Sequence, residues 1–290
     1  MTLLAFGENR QVATETQRRA TGKQVVIPST DKKIDFFIVG TQKGGTTALH
    51  AKLARHPDLQ CSSKKELHLF DDETRDWSAP DFSDVGDYFK DARPGALWGE
   101  VTPIYMYWPG AIDRLARYNP AAKLIVSLRH PAWRALSHWR METARRKETA
   151  PFDVAVSEAR RAQVGPVHRV YFYVERGFYA AQIATILDRF PRENLFFCML
   201  EEQREHEADL LRRMCRFLGV SGEIGIDGPR VIRPFIGKEL APVPDIDTRP
   251  TLKRLSQLYH EDIRETARLT GLSLEHWCDD NYTEHDVTAA

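Results

Sequence analysis

The run IDFFIVG, residues 34–40, is apolar from Phe36 onward and leads straight into the glycine-rich turn TQKGGTT. An apolar run of this kind, without polar alternation, suits a strand buried on both faces, as in the interior of a parallel sheet. Ala48, Leu49, Leu53 and Ala54 then recur at helical spacing, and His56-Pro57 stops the pattern. Further strand candidates lie at 96–101, 123–128 and 194–200. Helical patterns separate them: one through Ile112, Leu115 and Ala116, one from Pro131 to about Arg145, and one holding Ile183, Ile186 and Leu187. Two more follow, with Leu210, Leu211, Met214 and Phe217, and a last long one with Leu252, Leu255, Leu258, Tyr259 and Ile263. Strands separated by helices imply crossover connections. The expectation is a single α/β domain over 31–285, with a mostly parallel central sheet and helices on both faces. Residues 1–30 are polar and lack a period, and read as an N-terminal extension. The stretches 61–95, 140–178 and 221–250 lack the alternation and read as loops over a substrate site, beyond the carboxyl ends of the strands.

Composition narrows the function classes. The 41 basic residues balance 41 acidic ones, which argues against a protein whose main work is gripping nucleic acid or another polyanion. No apolar run approaches the ~18–20 residues that span a bilayer. The first residues, MTLLAFGENRQ, lack the basic leader and long apolar region of a signal peptide. Cys61, Cys198, Cys215 and Cys278 are scattered without a CxxC pair, so reduced structural thiols in a cytoplasmic protein are expected rather than a zinc site or a disulfide framework.

The turn after the first strand has the logic of an anion site. Backbone N–H groups at the helix start, the helix dipole, the Thr46 and Thr47 hydroxyls and the Lys43 ammonium all favour a negative group. In a nucleotide triphosphatase loop, however, the lysine follows the last glycine and directly precedes Ser or Thr. Here Lys43 precedes Gly44-Gly45. Taken alone, the turn also suits a plain strand-to-helix connection with an exposed lysine. A second constellation, SLRHPAWRALSHW at 127–139, puts Arg129 at the carboxyl end of a strand and Ser137 eight residues on, about two turns into the next helix. Arginine and hydroxyl together suit a second phosphate, although each alone also reads as an ion-pair partner and a helix-surface residue.

Taken together, the two motifs describe a nucleotide with phosphates at two separate positions. The chain thereby resembles the sulfotransferase superfamily, which uses 3′-phosphoadenosine 5′-phosphosulfate (PAPS). It is most similar to the branch of heparan sulfate N- and O-sulfotransferases and bacterial sulfotransferase domains. The motifs KGGTTAL, KELHLFD, GEVTPIYMY, LRHPAWRALSHW and RGFYAAQIATILDRF carry the resemblance, in order, over roughly 34–278. The resemblance implies a P-loop-like phosphosulfate-binding loop made of Gln42, Lys43, Gly44, Gly45, Thr46 and Thr47. It implies that Arg129 and Ser137 grip the 3′-phosphate, and more loosely that Gly237 and Lys238 cover that phosphate or the adenine. Catalysis would be positioning and electrostatics without a metal, by analogy with phosphoryl transfer. Lys43 would stabilise the leaving phosphate and Glu66 would be the base, with His68 as its partner or substitute. If 66–70 is extended, Glu66, His68 and Phe70 share one side. The competing role for Glu66 is an ion pair with Lys43, Lys64 or Lys65. Tyr105, Trp108, Arg176 and Tyr179 are less specific candidates for the substrate side, with Trp133 and Trp139 as further candidate walls. Two departures stand out: Val101 replaces a lysine of the heparan sulfate enzymes, and His130 replaces an aspartate.

The expected acceptor is a hydroxyl or amine-type nitrogen on a small molecule, such as a polar alkaloid natural product. An oligosaccharide or other glycan is the main alternative. From other classes, a nucleotide kinase or NTPase and a silent PAPS-binding module remain. The kinase reading lacks the GK[ST] order, and the Glu66–His68 pair speaks against the silent one. No nucleic-acid or membrane partner is expected, and a homodimer is left open.

Overall fold

The computed structural model describes residues 32–164, 168–221 and 247–284. The extension 1–30 and the candidates Gly237 and Lys238 lie outside the described residues. Among the described residues, five strands form one sheet: β1 (Phe36–Gly40), β2 (Leu59–Cys61), β3 (Leu97–Val101), β4 (Lys123–Leu128) and β5 (Leu195–Met199). Their order is β2-β3-β1-β4-β5, and every pairing is parallel. The apolar run around residues 36–40 therefore lies at the centre of the sheet, as its lack of alternation requires. The sequence pattern missed β2, because three residues, Leu-Gln-Cys, are too few to show a period.

Ten α-helices are described. They are α1 (Thr46–Leu53), α2 (Ala111–Tyr118), α3 (Pro131–Ala144), α4 (Phe152–Ala155), α5 (Glu158–Val164), α6 (Tyr179–Arg189), α7 (Leu200–Glu205), α8 (Glu207–Leu218), α9 (Arg249–Leu258) and α10 (His260–Thr270). None is long and apolar enough to cross a membrane. The single long helix expected near the C-terminus is two helices meeting at Tyr259. That residue is fully buried, and its hydroxyl donates to the Val174 carbonyl at 2.7 Å. The expected loops 61–95 and 140–178 prove partly helical, with α4 and α5 inside the second.

Side chains alternate across the sheet and feed two cores. Phe37, Val39, Leu124, Val126 and Leu128 face the larger one, packed by α2, α3, α6, α9 and α10. Phe36, Ile38, Val101 and Ile125 face the smaller one, closed by Leu49 and Leu53 of α1 and by Leu210, Met214 and Leu218 of α8. Helices thus cover both faces, and the carboxyl ends of β1 and β4 open toward the same edge. From β1 the chain goes to the edge strand β2, returns to β3 beside β1, and then crosses to the other side at β4. This reversal is where ligands bind in open α/β sheets.

Close packing across the sheet leaves no room at Gly99, in the middle of β3. A Cβ there would lie 2.0 Å from the Phe36 ring. Gly99→Ala should therefore force Phe36 out of place and lower stability by ~1–3 kcal/mol, read as an earlier midpoint in chemical denaturation; an unchanged midpoint would contradict this packing.

Candidate active site

Beyond the ends of β1 and β4 lies a cavity of about 630 Å³. Its walls come from the glycine turn (Gln42, Lys43, Gly45, Thr46 and Thr47), from Lys65 and Glu66, and from Pro103 after β3. Arg129, Ser137, Met141 and Arg145 close it from the α3 side, and Leu200 and Arg204 from α7. The turn is fixed from behind. Thr41 donates its N–H to the Ser127 carbonyl at 2.8 Å, and the Ser127 hydroxyl donates to the Gly44 carbonyl at 2.6 Å. Gln203 of α7 donates to the same carbonyl at 3.0 Å and to the Ser127 hydroxyl at 2.6 Å. With its carbonyl turned backward, the loop leaves the first N–H groups of α1 without intrahelical partners at the cavity.

Both glycines are required by this geometry. A Cβ on Gly44 would stand 2.3 Å from the Ser127 carbonyl oxygen, and Gly45 caps α1 at φ +83° with the Gln203 side chain 2.5 Å from its would-be Cβ. Neither a side-chain cap nor an acidic residue in the first turn of α1 competes with an incoming anion. Thr46 is buried and Thr47 exposed.

Lys43 takes φ +76° and carries its ammonium to 3.6 Å from Met141 Sδ, a weak acceptor. Burial, reinforced by the positive charges of Arg129 and Arg145, pushes its pKa down to about 8. A cation held at a discount in this way gains by meeting an anion. Arg129 leaves β4 and donates Nη1 to the Lys43 carbonyl at 3.2 Å, so the two expected anion subsites touch. Its Nε donates to Glu284 Oε1 at 2.7 Å and its Nη2 donates to Glu284 Oε2. Arg204 stands 3.5 Å from the same carboxylate. Ser137 faces the cavity from two turns into α3, as the eight-residue spacing implied.

The expectation of an extended 66–70 segment is not met. Glu66 and His68 take φ +60° and +57°, in the left-handed region. Leu67, Leu69 and Phe70 are all buried, so Phe70 does not share a side with the other two. Three bonds hold this shape: the Glu66 N–H donates to the Val101 carbonyl (3.1 Å), the Leu67 N–H to Glu100 Oε1 (3.1 Å), and the Leu69 N–H to the Tyr105 hydroxyl (2.8 Å). Glu66 and His68 nevertheless meet, with His68 Nε2 3.9 Å from Glu66 Oε2. Lys65 pairs with Glu66 at 2.5 Å, one of the ion pairs weighed for that carboxylate. His68 Nδ1 lies 2.8 Å from Asp71 Oδ2, and this hydrogen bond raises the histidine pKa above its ordinary value. Asp71 also accepts from Arg169, whose guanidinium lies 4.1 Å from the centre of the Trp108 ring.

The substrate-side candidates scatter. Tyr105 is fully buried as a structural acceptor for Leu69. Tyr179 is fully buried and donates its hydroxyl to the Arg129 carbonyl at 2.8 Å. Arg176 is buried against Gln42, to which it donates, and against the Tyr107 ring, 5.1 Å away. These three shape the site from behind. Trp108 is half-buried, its indole N–H donating to Glu73 at 2.7 Å, while Trp139 is buried with its N–H on the Ala150 carbonyl. Trp133 packs against the larger core. Val101 is fully buried in the smaller core, and His130 is buried under Trp277 and Tyr282, its pKa pushed down to about 3 by burial. All four cysteines are free.

Sequence reasoning missed Asp71, Arg145, Arg204, Glu284 and the structural role of Glu100. Only Asp71 had a local signal, three residues beyond His68. The others depend on tertiary approach. Glu100 is fully buried, accepting from the Leu67 N–H and the Thr102 hydroxyl, with Oε2 unpartnered. Burial pushes its pKa up to about 7.

The fold and cavity define an α/β protein with a P-loop-like anion turn at the switch point of its sheet and a second cationic subsite beside it. No family model matches the chain. Among known proteins it is 29% identical over 188 residues to the heparan sulfate glucosamine 3-O-sulfotransferase 3B1 of Mus musculus, covering 63% of this chain and 45% of the relative. It is 32% identical over 137 residues to the membrane-associated sulfotransferase kil1 of Dictyostelium discoideum, covering 46% of this chain and 27% of that one. The chain therefore spans less than half the length of either. Among solved structures, a sulfotransferase from Alicyclobacillus acidocaldarius superposes with a TM-score of 0.69 at 27% identity, covering 86% of this chain and 100% of the other. In sequence and in fold, then, what the chain is similar to is sulfotransferases.

The Glu100 carboxylate gives the site a stability signature. Its folded pKa of about 7 exceeds the ordinary carboxylate value, so its contribution is fully present in acid and is lost as pH rises toward 7. Glu100→Gln should gain stability relative to the parent between pH 5 and pH 8, by on the order of 3 kcal/mol, read as a widening difference in melting temperature. A difference independent of pH would refute the assignment.

Proposed function

We propose that the protein transfers a sulfuryl group from PAPS to a hydroxyl or amine-type nitrogen of a small-molecule acceptor. The observation that carries this is one cavity whose lining joins Lys43 and the α1 N-terminus to Arg129 and Ser137. That donor set suits an anionic nucleotide: two glycines whose Cβ atoms would close the turn, a lysine below its ordinary pKa, and a forked guanidinium beside a hydroxyl. PAPS would supply the activated sulfuryl group. The turn would bind its 5′ side, and Arg129 and Ser137 its 3′-phosphate. Lys43 would stabilise negative charge on the leaving oxygen. Glu66, at the cavity wall, would take the acceptor's proton, with His68 held by Asp71 and positioned to receive it or to orient the carboxylate. A glycan acceptor is the second reading, supported by the heparan sulfate glucosamine in the relatives' names. In favour of the first is Val101, which puts an apolar side chain where the glycan-modifying enzymes are expected to have a cation.

Calorimetry with PAP, the desulfated product, should give binding that ATP with Mg²⁺ does not match; the reverse preference would return the kinase reading. Lys43→Ala should lower turnover by ~10²–10³-fold without unfolding the protein. In the parent, kcat/KM should fall as pH climbs past about 8, because the free Lys43 ammonium loses its charge there. A Lys43→Arg variant should lack that limb, and a limb that persists in it would assign the fall to another group.

Glu66→Gln and His68→Ala separate the two base candidates. If Glu66 is the base, its variant should lose ~10²–10⁴-fold in kcat with PAPS saturating, while His68→Ala keeps turnover but loses any acid limb near the raised histidine pKa. Near-normal rates for Glu66→Gln would move the role to His68. Running the assay with a panel of polar natural products beside oligosaccharides separates the two acceptor classes.

A further inference from the structure

Arg129 is engaged by the chain itself. All three of its nitrogens have partners: Nε and Nη2 fork onto the two carboxylate oxygens of Glu284, and Nη1 reaches the Lys43 carbonyl. The Glu284 side chain is only 5% exposed and that of Arg129 12%, so this is an enclosed ion pair rather than a passing surface contact. Arg204, a second wall of the cavity, approaches Glu284 Oε2 at 3.5 Å. A forked carboxylate on a guanidinium occupies the geometry in which arginine also holds a phosphate.

The segment that delivers Glu284 is anchored nearby. The Tyr282 ring stacks on His130, the residue after Arg129, with centroids 4.5 Å apart and planes at 10°. Its hydroxyl donates to Glu201 Oε1 at 2.6 Å, and the Trp277 indole N–H donates to the same oxygen at 2.8 Å. Tyr282 thus fixes the path of the chain, and Glu284 lies two residues further on, against the cavity-lining Arg129 and Arg204. Two guanidinium groups face one carboxylate. A phosphate dianion brings more negative charge to the same fork, so it can outcompete the glutamate.

We propose that Glu284 is an internal stand-in for the second phosphate of the nucleotide. It holds Arg129 and Arg204 at the cavity in the free protein, and a ligand carrying a phosphate at that position displaces it. The inference rests on the reading of Arg129 and Ser137 as a phosphate subsite. Its consequence is selective: displacement opposes the binding of PAP, while adenosine 5′-monophosphate, which lacks the 3′-phosphate, leaves Glu284 in place.

The test is calorimetry of PAP and adenosine 5′-monophosphate with the parent and with Glu284→Gln, alongside hydrogen exchange of residues 279–284 in the unaltered chain. Glu284→Gln should bind PAP about tenfold more tightly, the scale of one lost charge-assisted contact, with the monophosphate unchanged. PAP, but not the monophosphate, should speed exchange in 279–284 of the parent. Equal or weaker PAP binding by the variant overturns the stand-in role, as does equal tightening of both ligands or exchange that PAP leaves unchanged. If the parent and the variant both bind PAP no better than the monophosphate, the phosphate subsite itself is refuted and the proposed function falls with it. A parent that binds PAP well beside a variant that gains nothing refutes the stand-in alone.

Discussion

The parallel pairing of β1 with β4 is the constraint on which the rest of the site depends. Phe36 to Gly40 align with Lys123 to Val126, so two strand ends arrive at one edge and the chains leaving them are neighbours. The same pairing continues as tethers beyond the ladder: Thr41 to Ser127, Ser127 to Gly44, and Arg129 to Lys43. Each tether consumes a carbonyl that would otherwise face the cavity and repel an anion. From the turn and the start of α3, the cavity receives the Lys43 and Arg129 cations and the Thr46, Thr47 and Ser137 hydroxyls. Sheet register and electrostatic sign are in this way one decision of the fold.

The second half of the site is built differently. Strand ends do not place Glu66 and His68; a loop folded back over β3 does. Its backbone donors are satisfied by the Val101 carbonyl, the Glu100 carboxylate and the Tyr105 hydroxyl. The buried residues Leu67, Leu69 and Phe70 hold the loop down while the polar ones turn outward. The GEVTPIYMY stretch therefore serves as a mould for the loop that carries Glu66 and His68, with Glu100 and Tyr105 as two of its contact points.

Much of this was legible in the amino-acid order, and the reasons are physical. Phe36–Gly40 was readable because a strand buried on both faces has no polar alternation, and the helix after Gly45 because its apolar spacing follows 3.6 residues per turn. Lys43, Arg129 and Ser137 were readable as partners because their positions follow from local geometry at strand ends and along a helix. The 66–70 segment was misread because its left-handed turns come from tertiary bonds to β3 and to Tyr105, which no local pattern announces. Tyr105 and Tyr179 drew attention as aromatic hydroxyls near motifs, yet both are buried braces. Glu284 was invisible for the opposite reason: its partner lies 155 positions away, and nothing near it in sequence marks it.

The positive φ angles at Glu66 and His68 carry one more consequence. For residues with side chains, that region of backbone space costs about 1–2 kcal/mol each relative to glycine. A sequence selected for ruggedness alone would place glycine at both positions and lose the carboxylate and the imidazole together. Under the proposed function, the loop therefore marks an opposition between durability and chemistry in this chain. Directed evolution toward heat resistance, carried out without an activity screen, would be drawn to these two codons first.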